Sequence, residues 1–170
     1  VFVSSGIRYD LLFGDKCNAE IFMQQLVEKH VSGQLKVAPE HTDDKVLKKM
    51  RKSSFSQAIR FKSWFDRLSR KLGKKQFLTY YFIAGYPGCS EKQMKTMKQT
   101  VSKELQLIPE QVQLFTPTPS TWATAMYYTE IDADGNSIFV EKDVGKKRQQ
   151  LDIMFEKGGR QIKNVNQTKT

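Results

Sequence analysis

Phe77-Leu78-Thr79-Tyr80-Tyr81-Phe82-Ile83-Ala84-Gly85-Tyr86-Pro87-Gly88-Cys89-Ser90 is the stretch that decides the fold. Its first eight residues are rich in aromatic and β-branched side chains and read as a strand. Gly85-Tyr86-Pro87-Gly88 ends the strand in a tight turn. Ser90 with Gln93 then forms a capping box, and Met94, Met97, Val101 and Leu105 make one apolar stripe. A strand running through a short turn into a capped helix is one βα unit.

The unit recurs on both sides. Upstream, Leu35 to Ala38 runs into Pro39-Glu40-His41-Thr42. Downstream, Val112 to Phe115 runs into Thr116-Pro117-Thr118-Pro119. Val1-Phe2-Val3 reads as a further strand, running into Ser4-Ser5-Gly6-Ile7-Arg8. Helices are expected after Asn18 (Phe22, Leu26, Val27), after Thr42 (Val46, Leu47, Met50), and from Phe61 through Leu72 with Gly73 as the stop. Strands alternating with helices predict an α/β fold with a parallel sheet. Ligands bind at the carboxyl ends of such strands, so four decorated strand ends imply one shared pocket.

After Thr121 the pattern changes. Asp132 to Asn136 is a turn signal between Tyr128–Ile131 and Ile138–Val140, which predicts a hairpin. Asp143 is placed to cap a last amphipathic helix carrying Leu151, Ile153, Met154 and Phe155. From Lys157 the chain is polar and basic and is expected to be disordered. The expected organisation is thus a βα region over 1–121, an extension over 122–156 and a tail over 157–170.

The 170 residues are 39% hydrophobic and 27% charged, enough for one ordinary core. The net charge of +10 favours polyanionic partners, RNA among them, although a solvated basic surface gives the same number. No apolar run is long enough for a membrane span. Two cysteines, Cys17 and Cys89, are too few for a disulfide framework and fit a reducing cytoplasm. Val1-Phe2-Val3 reads as the inside of a strand, so the chain is expected to be part of a longer protein, with that strand left as an exposed sheet edge.

Local chemistry leaves several options open. Gly85 and Gly88 allow close backbone approach to a ligand, or simply a tight turn. Glu40 and His41 fit ribose hydroxyls or proton transfer, or stand as structural residues. Arg8 fits a carboxylate bidentately, or pairs with Asp10 or Glu40. Cys89 near a helix start is open to a lowered pKa, though a buried, idle thiol is the commoner outcome. Trp122, Tyr127 and Tyr128 fit a stacked base, or an internal interface.

Several longer motifs carry a resemblance. Ser5-Gly-Ile-Arg-Tyr-Asp-Leu-Leu12, His30-Val-Ser-Gly-Gln-Leu-Lys-Val-Ala-Pro-Glu-His41, Gly73-Lys-Lys-Gln76, Pro87-Gly88, Val112-Gln113 through Thr116-Pro-Thr-Pro119, and Ala125-Met-Tyr-Tyr-Thr129 follow the order found in the YgiQ family of radical S-adenosylmethionine (SAM) proteins. The chain resembles the second half of that barrel from its first residue to about residue 156. The resemblance implies the C-terminal part of a partial TIM-type (β/α) barrel. It also implies SAM as cofactor and a [4Fe-4S] cluster held by an upstream CxxxCxxC loop. In that family an electron donor reduces the cluster, and SAM yields a 5′-deoxyadenosyl radical that attacks a substrate, here unknown. Ser5, Arg8 and Glu40 would be pocket groups, and the backbone at Ala84, Gly85, Phe115 and Thr116 would lie beside the adenine. Tyr86 stands where the family tends to have His. Without cluster cysteines the chain alone is expected to be inactive. Two other readings are an RNA-modifying methylthiotransferase-like radical SAM protein and a non-catalytic basic nucleic-acid-binding domain.

Overall fold

The computed structural model describes residues 1–15 and 17–155. The expected tail over 157–170 lies outside them. The described residues form an α/β structure around a three-stranded parallel sheet with seven α-helices. The strands are β1 (Gln34–Glu40), β2 (Phe77–Ala84) and β3 (Gln111–Leu114), in that spatial order. Sequential order means that each helical crossover carries the chain one strand further in the same direction. The same order occurs within a barrel wall and within one half of a doubly wound sheet.

The helices are α1 (Tyr9–Leu12), α2 (Ala19–Gln25), α3 (Asp44–Lys49), α4 (Phe55–Lys71), α5 (Glu91–Thr100), α6 (Trp122–Thr129) and α7 (Val144–Phe155). Both α2 and α5 run on into a π-helical turn, Leu26–His30 and Val101–Leu105 respectively. Gly73, at φ 65°, ends α4 as expected. The capping box of α5 is formed, with the Ser90 N–H donating to Gln93 Oε1 at 3.1 Å. Asp143 caps α7 through the Lys146 N–H at 2.7 Å.

Two caps differ from expectation. Asn18 makes no side-chain cap; Asp15 instead accepts from the N–H groups of Cys17 and Asn18. The cap of α3 is Asp43 rather than Thr42, because Asp43 Oδ1 reaches the N–H groups of Lys45 (2.8 Å) and Val46 (3.2 Å). Asp43→Ala is expected to lower stability by about 1 kcal/mol, measured by urea unfolding.

Val1–Val3 does not form the predicted fourth strand. Val3 N–H donates to His30 O (2.7 Å) and Ser4 O accepts from Lys36 N–H (2.8 Å). Adjacent residues of the run thus bond to positions six apart in the partner, so no ladder repeats. Gly6, at φ 86°, then turns the chain away. The predicted hairpin also shrinks to a single antiparallel bridge, Ile131 to Ser137, because Trp122–Thr129 is helical up to the turn.

The sheet is two-faced. Leu35 and Val37 of β1, and Leu78, Tyr80, Phe82 and Ala84 of β2, are buried in one core with Phe61, Phe65, Met94 and Met97 of α4 and α5. The intervening Lys36, Ala38, Thr79, Tyr81 and Ile83 are only half-buried, and Gln111 and Gln113 are exposed. Parallel sheets are ordinarily covered on both faces. The open, polar face is where a ligand has room.

Candidate functional site

A cleft of about 210 Å³ opens on that face, between the initial segment and β1. Its polar lining includes Ser5, Arg8, Asp10, Lys36, Lys52 and Tyr81. Lys36 and Tyr81 reach it because alternate residues of β1 and β2 share the open face. Ser5 and Arg8 reach it because the Ser4 carbonyl is tied to Lys36 and Gly6 turns the backbone. Arg8 donates through Nε (2.9 Å) and Nη2 (2.6 Å) to the two carboxylate oxygens of Asp10. That bidentate bond holds the Asp10 carboxyl below its usual range. Of the two ion pairs open to Arg8, the structure forms the one with Asp10.

Glu40 stands behind this cleft. The register of β1 against β2 is regular from Gln34↔Phe77 to Val37↔Tyr80, and then one extra residue enters β1 so that Glu40 faces Phe82. Glu40 itself sits at φ 68°, a conformation that costs a non-glycine residue on the order of 1 kcal/mol or more. Lys52 offsets this: its Nζ donates to Glu40 Oε1 (3.0 Å) and to Ala38 O (2.8 Å). Glu40 Oε2 is buried with no hydrogen-bond partner. Desolvation raises the Glu40 pKa, with Lys52 opposing it.

Ala84, Gly85, Phe115 and Thr116 lie at a second place, the ends of β2 and β3. Phe115 N–H donates to Ala84 O at 2.8 Å, which sets the two strand ends side by side. Gly85 has φ 70°, and a Cβ there would touch the Lys147 side chain at 3.4 Å. Lys147 comes from α7, is itself buried, and donates from Nζ to Phe115 O (2.8 Å). Its ammonium also lies 5.7 Å from the Phe115 ring centroid and 5.1 Å from that of Tyr127. Burial lowers its pKa. Lys147 lies in the basic run Lys146-Lys147-Arg148, which by itself reads as a solvated charged face. The signal was there, since Lys147, Leu151 and Met154 follow helical spacing along one side of α7.

His41 is fully buried beside Cys89, with Nε2 3.4 Å from Sγ. The Asp43 N–H donates to His41 Nδ1 at 2.9 Å, so the neutral ring carries its proton on Nε2 and points it at the sulfur. Burial pushes His41 down to about 4 and the Cys89 thiol up to about 12. Near pH 7 both are neutral. The local options of proton transfer by His41 and of an activated thiol at Cys89 give way to an internal hydrogen-bonded pair. The thiol's position near the α5 N-terminus does not outweigh its desolvation. Cys17 is exposed, and among the described residues no group of three or more His, Cys, Asp or Glu side chains is arranged to hold a metal ion. None of their helices is long and apolar enough to cross a membrane.

No protein-family profile matches the chain. It is similar to a UPF0313 protein of Fusobacterium nucleatum, with 51% identity over 158 residues, covering 92% of this chain and 28% of that protein. A UPF0313 protein of Thermotoga maritima is 40% identical over 163 residues, covering 95% and 28%. One from Bacteroides thetaiotaomicron is 46% identical over 134 residues, covering 75% and 22%. The chain thus spans about a quarter of the length of the relatives it matches.

Proposed function

We propose that this chain is part of a radical SAM enzyme of the YgiQ type, the family its motifs resemble, and that its open sheet face belongs to the interior of a partial (β/α) barrel. The observation that carries the reading is the cleft, where Ser5 and Arg8, read from sequence as pocket groups, meet Lys36, Lys52 and Tyr81. The sequential strand order agrees with a barrel wall.

The residues present suit one cofactor and not the other. SAM carries a carboxylate, an ammonium, ribose hydroxyls and a sulfonium, so it needs donors and acceptors of both signs. The cleft offers the ammonium groups of Lys36 and Lys52, the hydroxyls of Ser5 and Tyr81, and the Asp10 carboxylate. Behind Lys52, Glu40 Oε2 keeps an acceptor site unused. Lys36 and Lys52 would draw the cofactor's carboxylate, Ser5 would donate to it, and Asp10 with Arg8 would fix the cleft wall. A [4Fe-4S] cluster finds no ligand set among the described residues. Any cluster thiolates would come from other parts of the intact protein. SAM bound beside such a cluster supplies hydrogen-atom abstraction; the residues of this chain orient it and limit the water around it.

The test uses the intact protein containing this chain, prepared without oxygen with iron and sulfide. Iron near four atoms per molecule and dithionite-dependent release of 5′-deoxyadenosine from SAM are expected. Ser5→Ala with Lys36→Met is expected to weaken SAM binding about tenfold or more, read by equilibrium dialysis. Absence of both iron and deoxyadenosine would overturn the reading.

A further inference from the structure

Next to the cleft in the chain is a feature that cofactor binding does not use. Arg51 lies next to Lys52, a wall of the cleft, and stacks its guanidinium over the Trp122 ring at 5.0 Å. The indole is 57% exposed although it opens α6, so most of its surface is left to solvent. Arg51 is held in the left-handed region at φ 55°, which fixes its position at the end of α3. Around it stand Lys48, Lys49 and Lys52. Asp134 takes Lys48 (3.1 Å) and Glu40 takes Lys52 (3.0 Å). Arg51 and Lys49 form no ion pair among the described residues, and Lys49 feels Asp132 only through space. The loop leading to Trp122 is stiffened by Pro117 and Pro119 and exposes the Thr116 and Thr118 side chains.

We infer that the Arg51–Trp122 pair, joined to the cleft through Lys52, is a docking platform for single-stranded RNA, which makes nucleic acid the substrate class of the proposed enzyme. The partner must be anionic, because the charge left unpaired here is positive. It must also offer a flat apolar surface, because an exposed indole braced by a guanidinium gains most from a stacked base. An unpaired strand supplies both at once: its phosphates meet Arg51 and Lys49, and a base lies on Trp122. In a duplex the bases are already stacked on one another and do not reach a single platform. The assignment as substrate rests on the preceding reading; the binding itself does not.

Fluorescence anisotropy of a labelled oligouridine of about 12 nucleotides, titrated with the 170-residue chain at several salt concentrations, tests this without SAM or iron. Trp122→Ala is expected to weaken binding about tenfold and Trp122→Phe about twofold to threefold. Arg51→Gln is expected to lower the slope of log K against log salt by about 0.7. Replacing Lys157, Arg160, Lys163 and Lys169 together by Gln serves as the control for a charged tail and is expected to leave the Trp122 effect unchanged. Three results would each overturn the inference: equal binding by wild type, Trp122→Ala and Arg51→Gln; loss of all binding in the tail variant alone; or binding to phosphatidylserine vesicles with none to the oligonucleotide. A failed deoxyadenosine assay with intact RNA binding would remove the enzyme and leave the platform. The reverse outcome would remove only the platform.

Discussion

Lys52→Met is expected to lower the free energy of unfolding by about 3 kcal/mol, and adding Glu40→Gln is expected to return at least half of that loss. The side chains of Glu40 and Lys52 are 15% and 31% exposed, so neither charge is well hydrated. The Lys52 ammonium bonds one carboxylate oxygen and the Ala38 carbonyl, while the other carboxylate oxygen has no partner. Removing the ammonium leaves a poorly solvated carboxylate beside a backbone already in the left-handed region, so desolvation and conformational cost then act without an offset. Glu40→Gln removes the charge and keeps the shape, which is why it restores stability in the double variant. The pH dependence has a definite sign. Glu40 is raised from its ordinary value, and losing Lys52 raises it further. The folded state then holds a proton that the unfolded state has released, so the Lys52→Met deficit shrinks as pH falls through the Glu40 titration. Urea unfolding of the four proteins of this double-mutant cycle measures the coupling. Equal stability of wild type and Lys52→Met would remove Lys52 from any supporting role at the site.

The parts of the fold that were legible in the sequence are those with local causes. The strand Phe77–Ala84 and its turn into α5 rest on β-branched and aromatic content, two glycines and a capping box, all within one short window. The strand over Leu35–Ala38 and the α4 stripe of Phe61, Phe65 and Leu68 show the same clean periodicity. What was not legible depends on neighbours distant in sequence. Val1–Val3 has strand composition, but its status is set by whether a ladder continues, and Gly6 ends it. Tyr128–Ile131 reads as a strand, yet the helix started by Thr121, whose hydroxyl oxygen accepts from the Thr124 N–H, runs through Thr129.

The candidate site divides in the same way. Ser5 and Arg8 are expected at the end of a strand over Val1–Val3; that strand does not form, and the two residues line the cleft from an irregular segment. Lys36 and Lys52 were not singled out, because a lysine on a strand or after a helix is usually a solvated charge. Only the pairing of β1 with β2 and the reach of Lys52 back to Glu40 bring them into the cleft. Lys147 is the extreme case: helical spacing sets it on one side of α7 with Leu151 and Met154, but its partner, the Phe115 carbonyl, lies 32 residues away and is encoded by no local pattern.

The pair formed by His41 and Cys89 carries the second large effect, which acidification exposes. His41 is fully buried, accepts the Asp43 N–H at Nδ1 and directs Nε2–H to the Cys89 sulfur. Protonating Nδ1 would remove that acceptor and place a charge in the core, so the ring resists it and titrates at about 4 rather than 6.5. The groups that face it are few: the Cys89 thiol, pushed up to about 12, stays neutral, and the Asp43 carboxylate favours the charged ring but is outweighed by desolvation. The unfolded chain protonates this histidine as pH falls below 6.5 while the native chain does not, so native stability is lost between pH 6.5 and 4. From pH 7.5 to 4.5 the loss from His41 alone is about 2.5 kcal/mol. His41→Gln keeps one acceptor and one donor without titrating. Its unfolding free energy is expected to be lower than wild type at pH 7.5 but flatter toward pH 4.5, by about the same 2.5 kcal/mol. Asp10, Asp15 and Asp132, each held below the usual carboxylate value, lose their contribution only at lower pH and fall outside this window. Glu40 acts in the opposite direction, and because both proteins contain it, the difference between their profiles isolates His41. Parallel pH profiles for wild type and His41→Gln would mean that the imidazole is not held neutral and that the contact with Cys89 does not organise the turn after β1.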